Sequence, residues 1–263
     1  MPEDAPDTGE ILVECTATAL VLRIHNPGRA NALTPAMLAS LGRLASDPPG
    51  DVRSLVLTGS GERHFCSGLD LSGARGEELQ ARLREGEGLL RRATAALAEC
   101  RLPVVAAVNG AAFGGGLELA VACDWRVAAA SARLGMPAAR LGVVYAPEGL
   151  LRFIDCMGPA RARMLFLTGR PVTADRAREL GLVDEVVPAG ELEARVAETS
   201  ADIALAGPGA VAATRSAITL LHAAPMPEAA QDVERLRAAA YASPEFAEGL
   251  EAAAERRPPR WAP

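Results

Sequence analysis

The sequence predicts an α/β fold, and three observations carry that prediction. Short apolar runs alternate with segments of helical period through the first half of the chain. The runs RSLVLT at 53–58, centred on Leu55-Val56-Leu57, and VVAAV at 104–108 read as buried strands. Each is followed by a Gly-rich stretch that leads into a helical pattern.

Taken in order, residues 11–15 and 19–25 (ILVEC, ALVLRIH) flank a polar turn and predict a hairpin, which Asn26-Pro27-Gly28 stops. Thr34 as N-cap and Pro35 at the first helical position open a helix over 35–46, with Met37, Leu38, Leu41 and Leu44 on one face. Asp47-Pro48-Pro49-Gly50 ends it. After the strand at 53–58, residues 59–73 read as a Gly-rich loop, and 77–99 as an amphipathic helix carrying Leu79, Leu83, Leu90 and Leu97. The strand at 104–108 leads through a Gly-rich turn into an apolar helix at 114–123. Short strands fit 125–129 and 132–135, followed by a loop at 136–147. Helices are predicted at 148–157, 159–167, 173–180, 190–206, 208–222, 227–241 and 244–254, interrupted by a strand at 182–187. The closing ERRPPRWAP reads as a surface arm.

The 263 residues fit one large domain or a domain with an appendage. At 49% hydrophobic but 3% aromatic residues, the core must be built from Ala, Leu and Val. All 27 basic residues are Arg, which excludes Schiff-base chemistry, a pyridoxal-phosphate anchor and a P-loop lysine. A net charge of −6 argues against nucleic acid and anionic membranes as partners. Cys15, Cys66, Cys100, Cys123 and Cys156 form no CxxC pair and the three His are scattered, so no metal site is expected. The cysteines are expected to be reduced, buried thiols. With no basic-apolar leader and no apolar run near the roughly 18 residues of a membrane span, a cytoplasmic location is expected.

Two Gly-rich segments stand out, HFCSGLDL at 64–71 and NGAAFGGGLELA at 109–120. Both are expected at carboxyl ends of strands, where open α/β sheets bind ligands. Glycines leave backbone N–H groups free, and Gly114-Gly115-Gly116 opens a helix whose dipole favours negative charge. Two such donors converging from separate loops make an oxyanion hole, although a Gly run alone often serves only a tight turn. Glu118 sits among Leu117, Leu119, Ala120 and Val121. It reads either as a buried structural carboxylate with a backbone partner or as a general acid/base. Neither a P-loop nor a dinucleotide fingerprint is present.

Five ordered blocks resemble the enoyl-CoA hydratase/isomerase (crotonase) superfamily. They are NPGRANAL at 26–33, FCSGLDL at 65–71, VNGAAFGGGLELAVACDWRVA at 108–128, LTGRPVTADRARELGLVDEVVP at 167–188 and SPEFAEGLEAAAERRPPRW at 243–261. The resemblance implies a spiral core of ββα units over 1–195 and a helical trimerisation region over 196–263, assembled as a homotrimer or a hexamer. It implies an acyl-CoA thioester substrate, with coenzyme A present only as part of that substrate. The Leu69 and Gly115 N–H groups would form the oxyanion hole, and Glu118 would be an acid/base. Coenzyme A would lie along Arg29, Ala30, Ala32, Ser67, Gly68 and Asp70; Arg29 is the candidate phosphate contact, or else an ordinary solvated arginine.

One departure stands against this match. Hydratases of the superfamily carry a second glutamate in an F-G-x-P-E segment, and here LGMPAARLG at 134–142 places Ala138 there. Ala138 can neither activate water nor donate a proton. Glu148, in VVYAPEG at 143–149, is the candidate replacement; the alternative is a carboxylate favoured at a helix N-terminus after Pro147. Tyr145 would donate a hydrogen bond or shape the acyl pocket, for which Leu69, Phe113 and Met136 are further candidates. Three readings follow: a hydratase or isomerase working through a thioester enolate, a decarboxylase or hydrolase on the same fold, and a non-catalytic acyl-CoA-binding protein.

Overall fold

The computed structural model describes residues 9–49, 51–223 and isolated positions between 235 and 260. The expected hairpin is β1 (Glu10–Cys15) and β2 (Ala19–His25), paired antiparallel with Glu10 opposite His25. Thr34 caps α1 (Pro35–Ser46) by accepting the Met37 N–H, and Met37, Leu38 and Leu41 are buried along it. The chain then repeats one pattern: β3 (Ser54–Gly59), β4 (His64–Cys66), α2 (Gly76–Glu99); β5 (Val104–Val108), β6 (Ala111–Phe113), α3 (Gly115–Val121); β7 (Trp125–Ala129), β8 (Arg133–Gly135), α4 (Pro147–Met157). There follow α5 (Pro159–Thr168), β9 (Val172–Thr173), α6 (Ala174–Leu180), β10 (Glu185–Val187), α7 (Leu192–Leu205) and α8 (Pro208–Ala223).

The first strand of each repeat joins a six-stranded sheet, ordered β1-β2-β3-β5-β7-β10 and parallel from β2 onward. The second joins a smaller sheet, β4-β6-β8-β9. The result is an α/β spiral of ββα turns. Where the sequence reads only Gly-rich loop, β4 and β6 are paired strands, and β9 is a further addition. These strands are two or three residues long, too short for a period to register. The helices expected at 227–241 and 244–254 and most of the tail lie largely outside the described residues; of the region from 196 onward the structure describes the rest of α7 and α8.

The unbroken apolar runs are explained by burial on both faces. Val104, Ala106 and Val108 of β5 point into the main core with Leu55 and Leu57 of β3. Val105 and Ala107 point the other way, onto a second cluster closed by Leu192 and Val196 of α7. Arg126 of β7 is buried at 7% exposure. Its guanidinium donates to the Cys123 carbonyl at 2.9 Å and pairs with Asp184 at 2.9 Å, tying β7 to the start of β10. Cys66, Cys100 and Cys123 are buried free thiols as expected, and burial pushes Cys66 up to about 12. Two depart from the expectation: Cys15, on the edge strand β1, is exposed, and Cys156 is only half-buried. Among the described residues no single helix is long and apolar enough to cross a membrane; only a bent pair, 189–205 with 208–222 at 104°, passes on length and composition.

Candidate active site

The turns at the ends of β4 and β6 are pressed together. Residues 67–70 are clamped to the segment after β2: Ser67 N–H donates to the Ala30 carbonyl at 3.2 Å, Leu33 N–H to Gly68 at 2.8 Å and Asp70 N–H to Leu33 at 2.9 Å. That segment owes its shape to two buried asparagines. Asn26 donates to the Ala32 carbonyl at 2.9 Å, and Asn31 donates to the His64 and Ser60 carbonyls at 2.8 and 3.0 Å. Asn109 adds a third tie, accepting the Gly59 N–H at 3.0 Å. The Asn residues of the two sequence motifs are thus fasteners of the loops.

At Gly68 the backbone has φ +103°, a conformation that side chains rarely adopt. A Cβ there would also stand 3.2 Å from the Phe113 carbonyl and 3.4 Å from the Gly115 nitrogen. Among the described residues, the N–H groups of Leu69 and Gly115 have no hydrogen-bond acceptor. Both residues line a cavity of about 170 Å³.

Glu118, 5% exposed, lines the same cavity from α3. Its Oε2 accepts the Tyr145 hydroxyl at 2.7 Å, and its Oε1 lies 3.9 Å from the Arg152 guanidinium. Burial pushes the Glu118 carboxyl above the ordinary carboxylate range; Tyr145 and Arg152 pull it back, while Glu148 and Glu87 push it further up. Burial, then the Glu118 charge, holds the Tyr145 phenol well above its ordinary value, so it stays protonated and donates. Ala138 is in the cavity wall at 7% exposure. Glu148, at the start of α4, reaches the cavity as well and lies 3.8 Å from Arg91 of α2.

Of the expected site residues, Ser67, Gly68, Leu69, Gly115, Glu118 and Glu148 therefore share one cavity. Arg29, Ala30, Ala32 and Asp70 do not line it but adjoin it: the Arg29 carbonyl accepts the Ser67 hydroxyl at 3.3 Å, and Ala32 is buried behind the loop. Burial pushes Asp70 up, but the Ser72 hydroxyl and N–H, with Arg29 and Arg82, outweigh it and hold the carboxyl below its ordinary value. Leu69, Met136 and Tyr145 line the cavity, whereas the Phe113 ring packs against Gly135 instead.

Sequence reasoning missed the wall supplied by α2: Leu83, Glu87, Leu90 and Arg91. These positions follow an i, i+4, i+7, i+8 stripe, so the signal was present. Its leucines read as core and its charges as solvent face. Arg152 was missed too, being one of many arginines with nothing to distinguish it.

The enoyl-CoA hydratase/isomerase family model matches residues 14–263. A probable enoyl-CoA hydratase of Rhodobacter capsulatus is 36% identical over 254 residues, covering 95% of this chain and 97% of that protein. A short-chain-enoyl-CoA hydratase of Clostridium acetobutylicum is 33% identical over 81% of this chain and 82% of its own length. The crystal structure of an enoyl-CoA hydratase from Bacillus anthracis superposes with a TM-score of 0.89 at 32% identity, covering 96% of this chain and 98% of that one. With the α/β spiral, the paired Gly-rich turns and a match over nearly the whole length, the chain belongs to the enoyl-CoA hydratase/isomerase family of enzymes.

Proposed function

We propose that this enzyme converts an enoyl-CoA thioester by hydratase- or isomerase-type chemistry through an enolate. One observation carries the reading: a buried carboxylate, Glu118, shares a cavity with two backbone N–H groups that have no acceptor among the described residues. The thioester oxygen takes hydrogen bonds from Leu69 and Gly115, whose dipoles stabilise the negative charge as the enolate forms. Glu118 moves the proton at the acyl carbons. In hydration, water oxygen bonds to C3 and a proton is delivered to C2, so an acid and a base are both needed. Glu148 takes the second place that Ala138 leaves empty; its position in the same cavity supports this.

Coenzyme A lies along Arg29, Ala30, Ala32, Ser67, Gly68 and Asp70, and enters only as part of the substrate. The exposed Arg29 supplies a cation at the mouth for its phosphates. The enzyme works in the cytoplasm as a homotrimer or hexamer.

The test is hydration of crotonyl-CoA by the purified protein, with Glu118→Gln and Glu148→Gln beside it. Wild type turns over, and each variant loses about 10²-fold or more. Full activity in Glu148→Gln with none in Glu118→Gln would remove Glu148 from the mechanism. Ala138 favours a second reading, decarboxylation or hydrolysis, which needs fewer acids. A panel of carboxyacyl-CoA thioesters followed by mass spectrometry separates the two. Tight acyl-CoA binding with no turnover of any thioester marks a non-catalytic binder.

A further inference from the structure

Tyr145 stands in the loop before α4, and its hydroxyl donates to Glu118 Oε2 at 2.7 Å. Its ring is fixed independently of that bond: it packs edge-on to Phe166 at 5.4 Å, and Phe166 packs edge-on to Phe153 at 5.0 Å. The other side of the pair is closed by Gly149. A Cβ there would stand 2.7 Å from the Tyr145 ring and 3.1 Å from Glu118 Oε1. The ring is backed by aromatics and the carboxylate is held in α3, so neither yields easily. Gly149 therefore leaves room for this contact. Arg152, one helical turn beyond Glu148, lies 3.9 Å from Oε1.

We propose that Tyr145 is a positioning residue for Glu118: its hydroxyl occupies Oε2, keeps the buried carboxylate ionisable, and leaves Oε1 as the single oxygen that exchanges the substrate proton. This rests on the reading of Glu118 as the acid/base. A buried carboxylate with no donor drifts toward its neutral form and serves poorly as a base near neutral pH. The charged and titratable groups facing Glu118 are Tyr145 in the loop, Arg152 and Glu148 on α4, and Glu87 on α2. The two carboxylates oppose ionisation, while Tyr145 and Arg152 favour it. Of the two favourable groups, only Tyr145 is in direct hydrogen-bond contact.

The test uses Tyr145→Phe, which keeps the ring and its packing and removes only the hydroxyl that Glu118 accepts from. Glu118 is read directly, as the protonated-carboxyl infrared band that wild type shows and Glu118→Gln lacks, followed from acidic to alkaline pH. The band should titrate about one pH unit higher in Tyr145→Phe. With crotonyl-CoA as probe, the acidic limb of kcat/KM should shift upward by the same amount, with activity recovering toward wild type at alkaline pH. A band that titrates where wild type does, or a loss of activity equal at every pH, overturns the proposal. The infrared titration needs no turnover, so its result stands apart from that of the acid/base reading. If Glu118→Gln hydrates crotonyl-CoA normally, that reading falls while the titration still reports the Tyr145 contact.

Discussion

Gly68 and Gly115 lie back to back, close enough that a Cβ on Gly68 would stand 3.4 Å from the Gly115 nitrogen. They come from turns that are 47 residues apart in sequence (115 minus 68) and follow neighbouring strands of the small sheet. Their contact sets the spacing between the Leu69 and Gly115 N–H groups.

Gly68→Ala should therefore disable the site while leaving the fold intact. The added methyl meets backbone, and alanine resists the positive φ. Displacing one donor lowers kcat/KM for crotonyl-CoA by about 10²–10³. Far-ultraviolet circular dichroism checks that the loss is local, and wild-type turnover in a folded variant would contradict the assignment.

Glu118 imposes a stability cost that depends on pH. Its carboxyl is held above the ordinary value by burial, so the folded chain binds a proton there that the unfolded chain has already released. Native stability at this position is full at low pH and falls as pH rises through that window. Glu118→Gln removes the effect. The variant should gain thermal stability over wild type from acidic to neutral pH, as active-site substitutions often do. A stability difference that shrinks with rising pH would contradict the burial argument.

Asp184 carries structural weight rather than chemistry. It partners the buried Arg126 at 2.9 Å and also accepts the Arg126 N–H at 2.8 Å. Asp184→Ala leaves a buried guanidinium without its counter-charge. Because Asp184 is itself partly exposed, the expected loss is about 2 kcal/mol, below that of a fully buried pair. Urea denaturation measures it.

Arg29 tests the cofactor path. The chain contains no lysine, and Arg29 is the cation proposed to meet the coenzyme A phosphates. Arg29→Ala should weaken coenzyme A binding by about threefold to fivefold at low salt, with the difference fading at high salt. Calorimetry at two ionic strengths reads this, and equal affinities at low salt would remove Arg29 from the path.

The strands and helices with strong local signals were legible. Thr34-Pro35 announced α1, and the apolar runs announced β3 and β5. The second sheet was not, because β4 and β6 are three residues each and exist through pairing to one another. In the site, Glu118 and the glycine turns were legible because a carboxylate in an apolar helix and a triple glycine are locally anomalous. Glu87, Arg91 and Arg152 were not, because a charge on an amphipathic helix reads the same whether it faces water or a cavity. The Tyr145–Glu118 contact spans 27 residues and depends on the placement of two helices, which no local pattern encodes.

The proposed chemistry has Glu118 move a proton at C2 of a thioester whose enolate is held by Leu69 and Gly115. Its most direct measurement is exchange of the C2 protons of butyryl-CoA in deuterium oxide, followed by mass spectrometry, because exchange needs the enolate and nothing after it. Wild type should incorporate deuterium, while Glu118→Gln should incorporate at least about 10²-fold more slowly. Exchange at equal rates in both proteins, or none in wild type that binds the thioester, would contradict the account.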